Sequence, residues 1–275
     1  MKKLLSALLA LLLVASLAAC RSGTPSNNNA PENTEAAEKD HLARIQEAGK
    51  LVVAMEGNWS PWTFHDESDK LVGYDVEVAA AIAEKLGVEV EYIEGAWGGL
   101  FMGLSNGRYD LVVNGVGITE SRKETYDFSE PYAYNTTVLI ARTDNEEIKS
   151  LADLEGKVTA NSLGSTFESI AIDAGVDHVE TVDTLEETLN LVLNGRVDAT
   201  LNAKGSFDDY MRAHPEDPLY IVEEVKIEYV GIPVVKGEDN ARLLEVINEV
   251  INAKKADGSL AELSNKYFGF DMSHE

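Results

Sequence analysis

The chain is poor in the residues that build cross-links, metal centres and polyanion-binding surfaces. It holds a single cysteine, Cys20, so no intrachain disulfide forms and no cysteine-based zinc site can be assembled. The five histidines, His41, His65, His178, His214 and His274, stand at spacings that give no metal cluster, and neither metal nor cofactor is expected. Positive charge is scarce: 23 Lys and Arg against 48 Asp and Glu leave a formal net charge of −25. Such an acidic surface repels phosphate backbones, which argues against nucleic acid as a partner and against electrostatic docking on anionic lipid. What is present in quantity is ordinary: 44% hydrophobic and 26% charged residues over 275 positions. That is the composition of a folded protein, with the length of one large domain or two medium ones.

Long apolar runs are also missing, with one exception. Met1-Lys2-Lys3 is basic, Leu4 to Leu17 is apolar apart from Ser6 and Ser16, and Leu17-Ala18-Ala19-Cys20 follows. This is the layout of a secretory signal, and the run is short for a bilayer span, which takes roughly 20 apolar residues. Leu-Ala-Ala-Cys resembles a bacterial lipobox, with the only cysteine at the position that would be lipidated. Residues 21–38 are small and polar without apolar periodicity, the pattern of a flexible tether. The expected layout is a signal peptide over 1–19, then a lipidated Cys20 and tether over 20–40.

The rest of the chain repeats itself once. Asn106-Gly107-Arg108-x-Asp110 returns 88 residues later as Asn194-Gly195-Arg196-x-Asp198, and the same offset relates Asn114 to Asn202, Gly87-Val88 to Gly175-Val176 and Ile82-Ala83 to Ile170-Ala171. Two copies make two similar α/β units rather than a solenoid. In the first, Asp75 to Leu86 has a helical apolar face and ends at Gly87, Val88 to Tyr92 alternates as a strand, and Leu111 to Val113 is a short buried strand. In the second, a helix starts near Ser165 or Thr166, a strand lies near Val179 to Val182, Thr184-x-x-Glu187 is a capping box, and Ala199 to Leu201 is a strand. Leu51 to Met55 and Val158 to Ala160 are strands leading into the copies, and Val138 to Ala141 is a crossover. Val230 to Val235 reads as one strand, followed by helices over Ala241 to Ala253 and Ser259 to Tyr267. Strands alternating with helices predict parallel sheets covered on both faces, arranged as two lobes with two crossovers. The boundaries expected are 41–138 with 229–275 for lobe 1, and 139–228 for lobe 2.

Ligands of open α/β sheets bind beyond the carboxyl ends of the strands. That rule selects Glu56 to Trp59, Asn114 to Gly117, Asn161 to Thr166, and Asn202 to Ala203, drawn from both lobes and so lining a cleft. Gly115 and Gly117 allow close approach to bare backbone, while Thr119 caps a short helix whose first turn carries Arg122, together a receptor for a carboxylate. The alternative is a surface Arg after a plain loop. Trp59 and Trp97 sit on loops at strand ends as walls for an apolar or amphipathic ligand, whereas Trp62 fits the core. Gly164-Ser165-Thr166 can meet an anion from the second lobe or simply cap a helix. Glu56 can pair with a ligand ammonium or stand as a solvated carboxylate. Asp110 and Asp198, matched across the repeat, read as structural.

Gly73-Tyr74-Asp75-Val76, Gly107-Arg108-Tyr109-Asp110, Gly117-Ile118-Thr119-x-x-Arg122, Asp127-Phe128-Ser129-Glu130-Pro131-Tyr132 and Gly195-Arg196-Val197-Asp198-Ala199 together resemble the amino-acid-binding proteins of bacterial ABC importers, solute-binding family 3. The resemblance runs from about Leu51 to Gly269. It implies the type II periplasmic-binding-protein fold, an α/β clamp of two lobes with two crossover hinge strands. It implies a lipoprotein on the outer face of the cell membrane, monomeric, that hands an α-amino acid to permease and ATPase subunits, and not an enzyme. By resemblance Arg122 holds the ligand carboxylate with Asn114, Gly115 and Gly117, Trp59 stacks on the ligand, Trp97 faces it, and Gly164, Ser165 and Thr166 close from the other lobe. Ala203 stands where the family commonly has an aspartate for the α-ammonium, which leaves Asn202, Glu56 and carbonyls as acceptors. Ala199-Thr200-Leu201-Asn202 with Phe207-x-x-Tyr210 looks like the cystine-binding branch. The alternatives are an enzyme on the same scaffold, such as a cyclohexadienyl dehydratase-like lyase with Glu56 as its acid or base, or a ligand sensor.

Overall fold

The structure, a computed structural model, describes residues 39–275; the expected signal peptide, Cys20 and most of the tether lie outside the described residues. The elements run α1 (His41–Ala48), β1 (Lys50–Met55), β2 (Phe64–His65), β3 (Leu71–Val72), α2 (Tyr74–Leu86), β4 (Glu89–Glu94), α3 (Trp97–Ser105), β5 (Leu111–Val112), α4 (Glu120–Lys123), β6 (Tyr126–Phe128) and β7 (Ala133–Arg142). They continue with β8 (Val158–Asn161), α5 (Thr166–Asp173), β9 (His178–Thr181), α6 (Leu185–Leu193), β10 (Ala199–Ala203), α7 (Lys204–Ala213), β11 (Leu219–Val230), β12 (Pro233–Val235), α8 (Ala241–Ala256) and α9 (Ser259–Phe268).

Two sheets organise these elements. One is a three-stranded parallel sheet in the order β4-β1-β5. The other has five strands in the order β11-β7-β10-β8-β9, parallel among β10, β8 and β9 and antiparallel where β7 joins β10 and β11. Each sheet is covered on both faces, because its strands are buried on both and need apolar partners above and below. Around the first sheet, Leu51, Val53 and Leu111 pack with Ile82 of α2 and with Leu243, Ile247 and Ile251 of α8. On its opposite face, Ala54 and Val112 pack with Leu100 and Leu104 of α3. The second sheet repeats the plan: Ile140 and Ala160 pack with Leu189 and Val192 of α6 on one face, and Leu139 and Leu201 with Ile170 of α5 on the other.

Several local signals act as read. Gly87 ends α2 at φ +70, Ser165 caps α5 through Glu168 N–H, and Thr184 with Glu187 forms the capping box of α6. Asp110 and Asp198 do the same work in the two copies. Asp110 accepts Val52 N–H at 2.7 Å and returns its own N–H to Val52 O, and Asp198 does likewise with Val158. Each carboxylate therefore ties the loop before one strand, β5 or β10, to the parallel strand beside it, β1 or β8.

The expected strand Val230 to Val235 is two strands. β11 ends at Val230, Gly231 donates its N–H to Val116 O, and β12 begins at Pro233 and pairs with β6 instead. Pro233 has no N–H to continue the β11 ladder, and position 231 favours glycine because a Cβ there would lie 2.8 Å from Ile118 Cδ1. β11 itself pairs with β7 over the full length of both, interrupted by register shifts at Ile221/Glu223 and Glu224/Lys226. This long antiparallel ribbon carries the two crossings between the lobes.

Candidate functional site

A cavity opens between the lobes and is lined by residues of both, the kind of place where small-molecule sites are commonly built. From lobe 1 it is lined by Glu56, Asn58, Trp59, Trp97, Gly115, Gly117 and Arg122; from lobe 2 by Asn161, Ser162, Ser165, Thr166, Phe167, Asp183, Thr184, Leu185, Thr188 and Asn202. Of the eleven residues given a ligand-binding role from sequence, nine meet there: Glu56, Trp59, Trp97, Gly115, Gly117, Arg122, Ser165, Thr166 and Asn202; Asn58, Asn161 and Ser162, which the strand-end rule also selects, line it as well. Asn114 and Gly164 do not line the cavity, and each supports a residue that does.

Arg122 is the centre of the lobe 1 wall. Thr119 caps the one-turn helix α4 by accepting Arg122 N–H at 3.2 Å, which fixes where the side chain starts. Its guanidinium then lies 5.2 Å from the Trp97 ring centroid and 5.1 Å from that of Phe101, a cation–π arrangement on two aromatic faces. Nη1 donates to Gly117 O at 2.7 Å, and Nη2 reaches across to Gly164 O at 3.1 Å. Burial pulls its pKa down to about 10, opposed by the nearby Glu228 carboxylate, so it remains a cation at neutral pH. Glu228 is buried on β11, where it accepts the Thr166 hydroxyl at 3.1 Å and faces Lys226 Nζ at 3.5 Å.

Trp59 forms a second wall. It stacks on the fully buried Trp62 with centroids 5.3 Å apart, and Trp62 in turn packs edge-on against Tyr74 and Phe268. Gly115 is the residue this stack requires: its φ is +55, and a Cβ would lie 2.5 Å from Trp59 Cζ3. The Gly115 N–H is held by Asp75 Oδ2 at 2.6 Å, while Asp75 Oδ1 accepts the Tyr132 hydroxyl at 2.7 Å. Asp75 is wholly buried, and desolvation raises its pKa to about 7 against the lowering effect of those two bonds.

Glu56 is not a solvated carboxylate. Asn114, itself buried, donates Nδ2 to Glu56 Oε2 at 2.6 Å and accepts Glu56 N–H at 2.7 Å. Burial raises the Glu56 pKa to about 7, with the Asp183 carboxylate of lobe 2 adding to the rise.

From lobe 2, Asn202 Oδ1 accepts Ala203 N–H at 2.8 Å and Trp59 Nε1–H at 3.4 Å. Ser60 Oγ donates to Asp209 at 2.6 Å. With Arg122–Gly164, these are direct hydrogen bonds between the lobes. Ala203 is fully buried at the start of α7 and offers the cavity no acceptor. Sequence reasoning does not reach Phe167, Asp183, Thr184, Leu185 and Thr188 as lining residues. The last four follow the carboxyl end of β9, and the 88-residue offset carries Trp97 onto Leu185.

Comparison with known proteins follows the same geometry. Residues 51–270 match the bacterial extracellular solute-binding proteins, family 3. The L-cystine-binding protein TcyA of Bacillus subtilis is 37% identical over 277 residues, 99% of this chain and all of that protein. An ancestral arginine-binding protein solved with arginine superposes with a TM-score of 0.73 at 38% identity, covering 80% of this chain and 99% of that one. The L-cystine solute receptor of Neisseria gonorrhoeae, solved unliganded and open, gives 0.58 at 39% identity over 85% of this chain and 99% of its own. Since the match spans β1 to the end of α9 and the relatives are covered almost whole, the chain belongs to the bacterial extracellular solute-binding proteins, family 3.

Proposed function

We propose that this protein is the extracytoplasmic binding subunit of an amino-acid ABC importer, that it captures an α-amino acid between its lobes, and that it performs no chemistry on it. The observation that carries the reading is Arg122, a cation packed on two aromatic rings and aimed into a cavity bounded by both lobes. A ligand carboxylate replaces the Gly164 carbonyl as its partner, joined by Gly117 N–H and the Ser165 and Thr166 end of α5, where helix N–H groups favour an anion. Trp59 and Trp97 bound the ligand body. Asn202 and Glu56 accept the α-ammonium in place of the aspartate that Ala203 lacks. Asn114 orients Glu56, and Gly164 acts through Arg122. Closure is a population shift produced by contacts to both lobes. Cys20 supplies a lipid anchor, and the 20–40 segment lets the body reach the permease.

An enzyme reading has one observation in its favour: Glu56, with a pKa near 7, suits a general acid or base. It would need turnover of a cyclic carboxylic acid that Glu56→Gln abolishes, whereas the transport reading expects Glu56→Gln to retune affinity alone. The main test is a thermal-shift screen of the purified protein against the proteinogenic amino acids, cystine and cyclic carboxylic acids. A ligand at a hundred times its Kd adds about 2.7 kcal/mol of stability. Stabilisation by an amino acid is the expected result, and silence across all of them overturns the assignment.

A further inference from the structure

Glu228 is a buried carboxylate placed where the two lobes meet. It stands near the end of the crossover strand β11 and is 8% exposed. Its Oε2 accepts the Thr166 hydroxyl of lobe 2 at 3.1 Å, and its Oε1 faces Lys226 Nζ at 3.5 Å. A Cβ placed on Gly117 would lie 3.7 Å from Glu228 Oε1, 3.7 Å from Arg122 Nη1 and 3.3 Å from Thr166 Cγ2. The crossover strand, lobe 1 and lobe 2 thus converge on that glycine with one side chain each. Backbone contacts hold the Arg122 loop against the strand: Ile118 N–H donates to Tyr229 O at 2.8 Å, and Gly117 bridges to Val230.

Packing does not need the charge. The Thr166 hydroxyl requires an acceptor, and a neutral amide supplies one as well. A carboxylate costs more to bury than an amide does. The hydrogen bonds of the Arg122 guanidinium go to Gly117 O and Gly164 O, so Glu228 acts on it through its charge. Lys226 balances that charge only in part, because its side chain is 46% exposed and water screens the pair. A ligand carboxylate that reaches Arg122 therefore comes up beside a carboxylate already there. Like charges shielded from water raise each other's cost, and one guanidinium serves both.

We infer that Glu228 limits affinity: it is a resident carboxylate that shares the Arg122 charge with the ligand carboxylate, so that the amino acid is held less tightly than the receptor allows. This rests on the amino-acid-binding reading above. Glu228 does not line the cavity, and it acts through Arg122 rather than by touching the ligand. Every α-amino acid presents the same carboxylate to Arg122, so the effect does not depend on the ligand side chain. A protein that must hand its ligand on gains from such a residue, since the same charge quickens release.

Titration calorimetry of the purified protein with the proteinogenic amino acids and cystine tests the inference, with a thermal melt to show that each variant is folded. Each amino acid that the parent binds is expected to bind Glu228→Gln about fivefold tighter. A residue that only positions Thr166 gives no such gain, because Gln keeps the acceptor and lacks only the charge. Binding by a folded Glu228→Gln protein that is weaker, or unchanged within about twofold, overturns the inference, as does a gain confined to one class of side chain. Lys226→Gln, at an exposed position, removes the partial counter-ion of Glu228 and is expected to weaken the same amino acids about threefold. If Glu228→Gln does not fold, Lys226→Gln decides alone, and unchanged or tighter binding by it overturns the inference. Absence of binding by every amino acid is a different result: it overturns the functional reading on which the inference rests.

Discussion

Asn114-Gly115 and Asn202-Ala203 occupy the same place in the two copies of the repeat, yet they are wired differently. In lobe 1 the Asn side chain turns sideways to Glu56, and the next N–H is held by the remote, buried Asp75. In lobe 2 the Asn side chain takes the next N–H itself and also accepts Trp59 from the other lobe. The braces Asp110–Val52 and Asp198–Val158 align β1 with β8, so Met55 corresponds to Asn161. Met55 is plain core, whereas Asn161 is polar and faces the cavity. The comparison teaches that the duplicated scaffold was kept at the ends of the strands that face away from the cleft and changed at the ends that line it. Scaffold residues match by symmetry, and ligand-facing residues differ.

The largest test of that asymmetry concerns Asp75, whose hold on Gly115 has no parallel in lobe 2. Its folded pKa, about 7, lies above the ordinary 3.8. Below about pH 4 both states carry the proton. Between pH 4 and 7 the unfolded chain releases it and the folded chain keeps it, so this residue's contribution to stability falls as pH rises and levels off above 7. Asp75→Asn does not titrate. Its stability relative to the parent should therefore rise by on the order of 3 kcal/mol from pH 4 to pH 8, read from denaturant melts at several pH values. A difference that stays flat with pH would contradict this.

Next in size is the pair Gly115→Ala and Ala203→Gly. The first puts a methyl 2.5 Å from Trp59 at a φ of +55 and should cost about 2 kcal/mol and weaken ligand binding. The second, in extended backbone at the start of α7, should cost no more than about 1 kcal/mol. Equal costs would mean that the two turns are not wired differently.

The smallest expected difference is between the two shared braces. Asp110→Ala and Asp198→Ala should each cost about 1–3 kcal/mol. Asp110 also accepts His41 Nε2 at 2.8 Å, a bond that raises the His41 pKa. That extra stability is complete below the unfolded histidine pKa near 6.5 and disappears as pH rises through the raised folded value. Asp110→Ala should therefore cost more than Asp198→Ala by up to about 1 kcal/mol at pH 5.5 and converge on it at pH 8.5. A gap that does not depend on pH would remove His41 from the account.

Much of the scaffold was legible because local chemistry repeats. Gly87, the Thr184–Glu187 box and the Asn-Gly-Arg-x-Asp turns mark element ends without tertiary information. β11 was not legible. Its residues, Leu-Tyr-Ile-Val-Glu-Glu-Val-Lys-Ile-Glu-Tyr-Val, carry two register shifts that break the alternation by which a strand is recognised. α1 was missed because only Leu42 and Ile45 of its eight residues are buried, and its Asp40 cap lies where the tether was expected. In the site, Trp59 lies in a strand-end loop two residues after Gly57, and Arg122 follows the Gly115-x-Gly117 loop on the short helix capped by Thr119, so both could be found. Glu228 could not, since nothing separates it in sequence from Glu223 and Glu224 of the same strand; only its position beside Arg122 does so. Whether Asn114 faces the cavity or supports a neighbour is decided by the Glu56 carboxylate, and that contact is tertiary.

The central claim is that Arg122 holds the carboxylate of a captured amino acid. The direct measurement is the Kd of the best ligand from the amino-acid screen for the parent and for Arg122→Ala, by calorimetry, with a thermal melt to show that the variant is folded. The account predicts a loss of at least about a hundredfold in a folded variant, since a buried charge-assisted contact is worth about 2–3 kcal/mol or more. A folded Arg122→Ala protein that binds the amino acid within about threefold of the parent would contradict it.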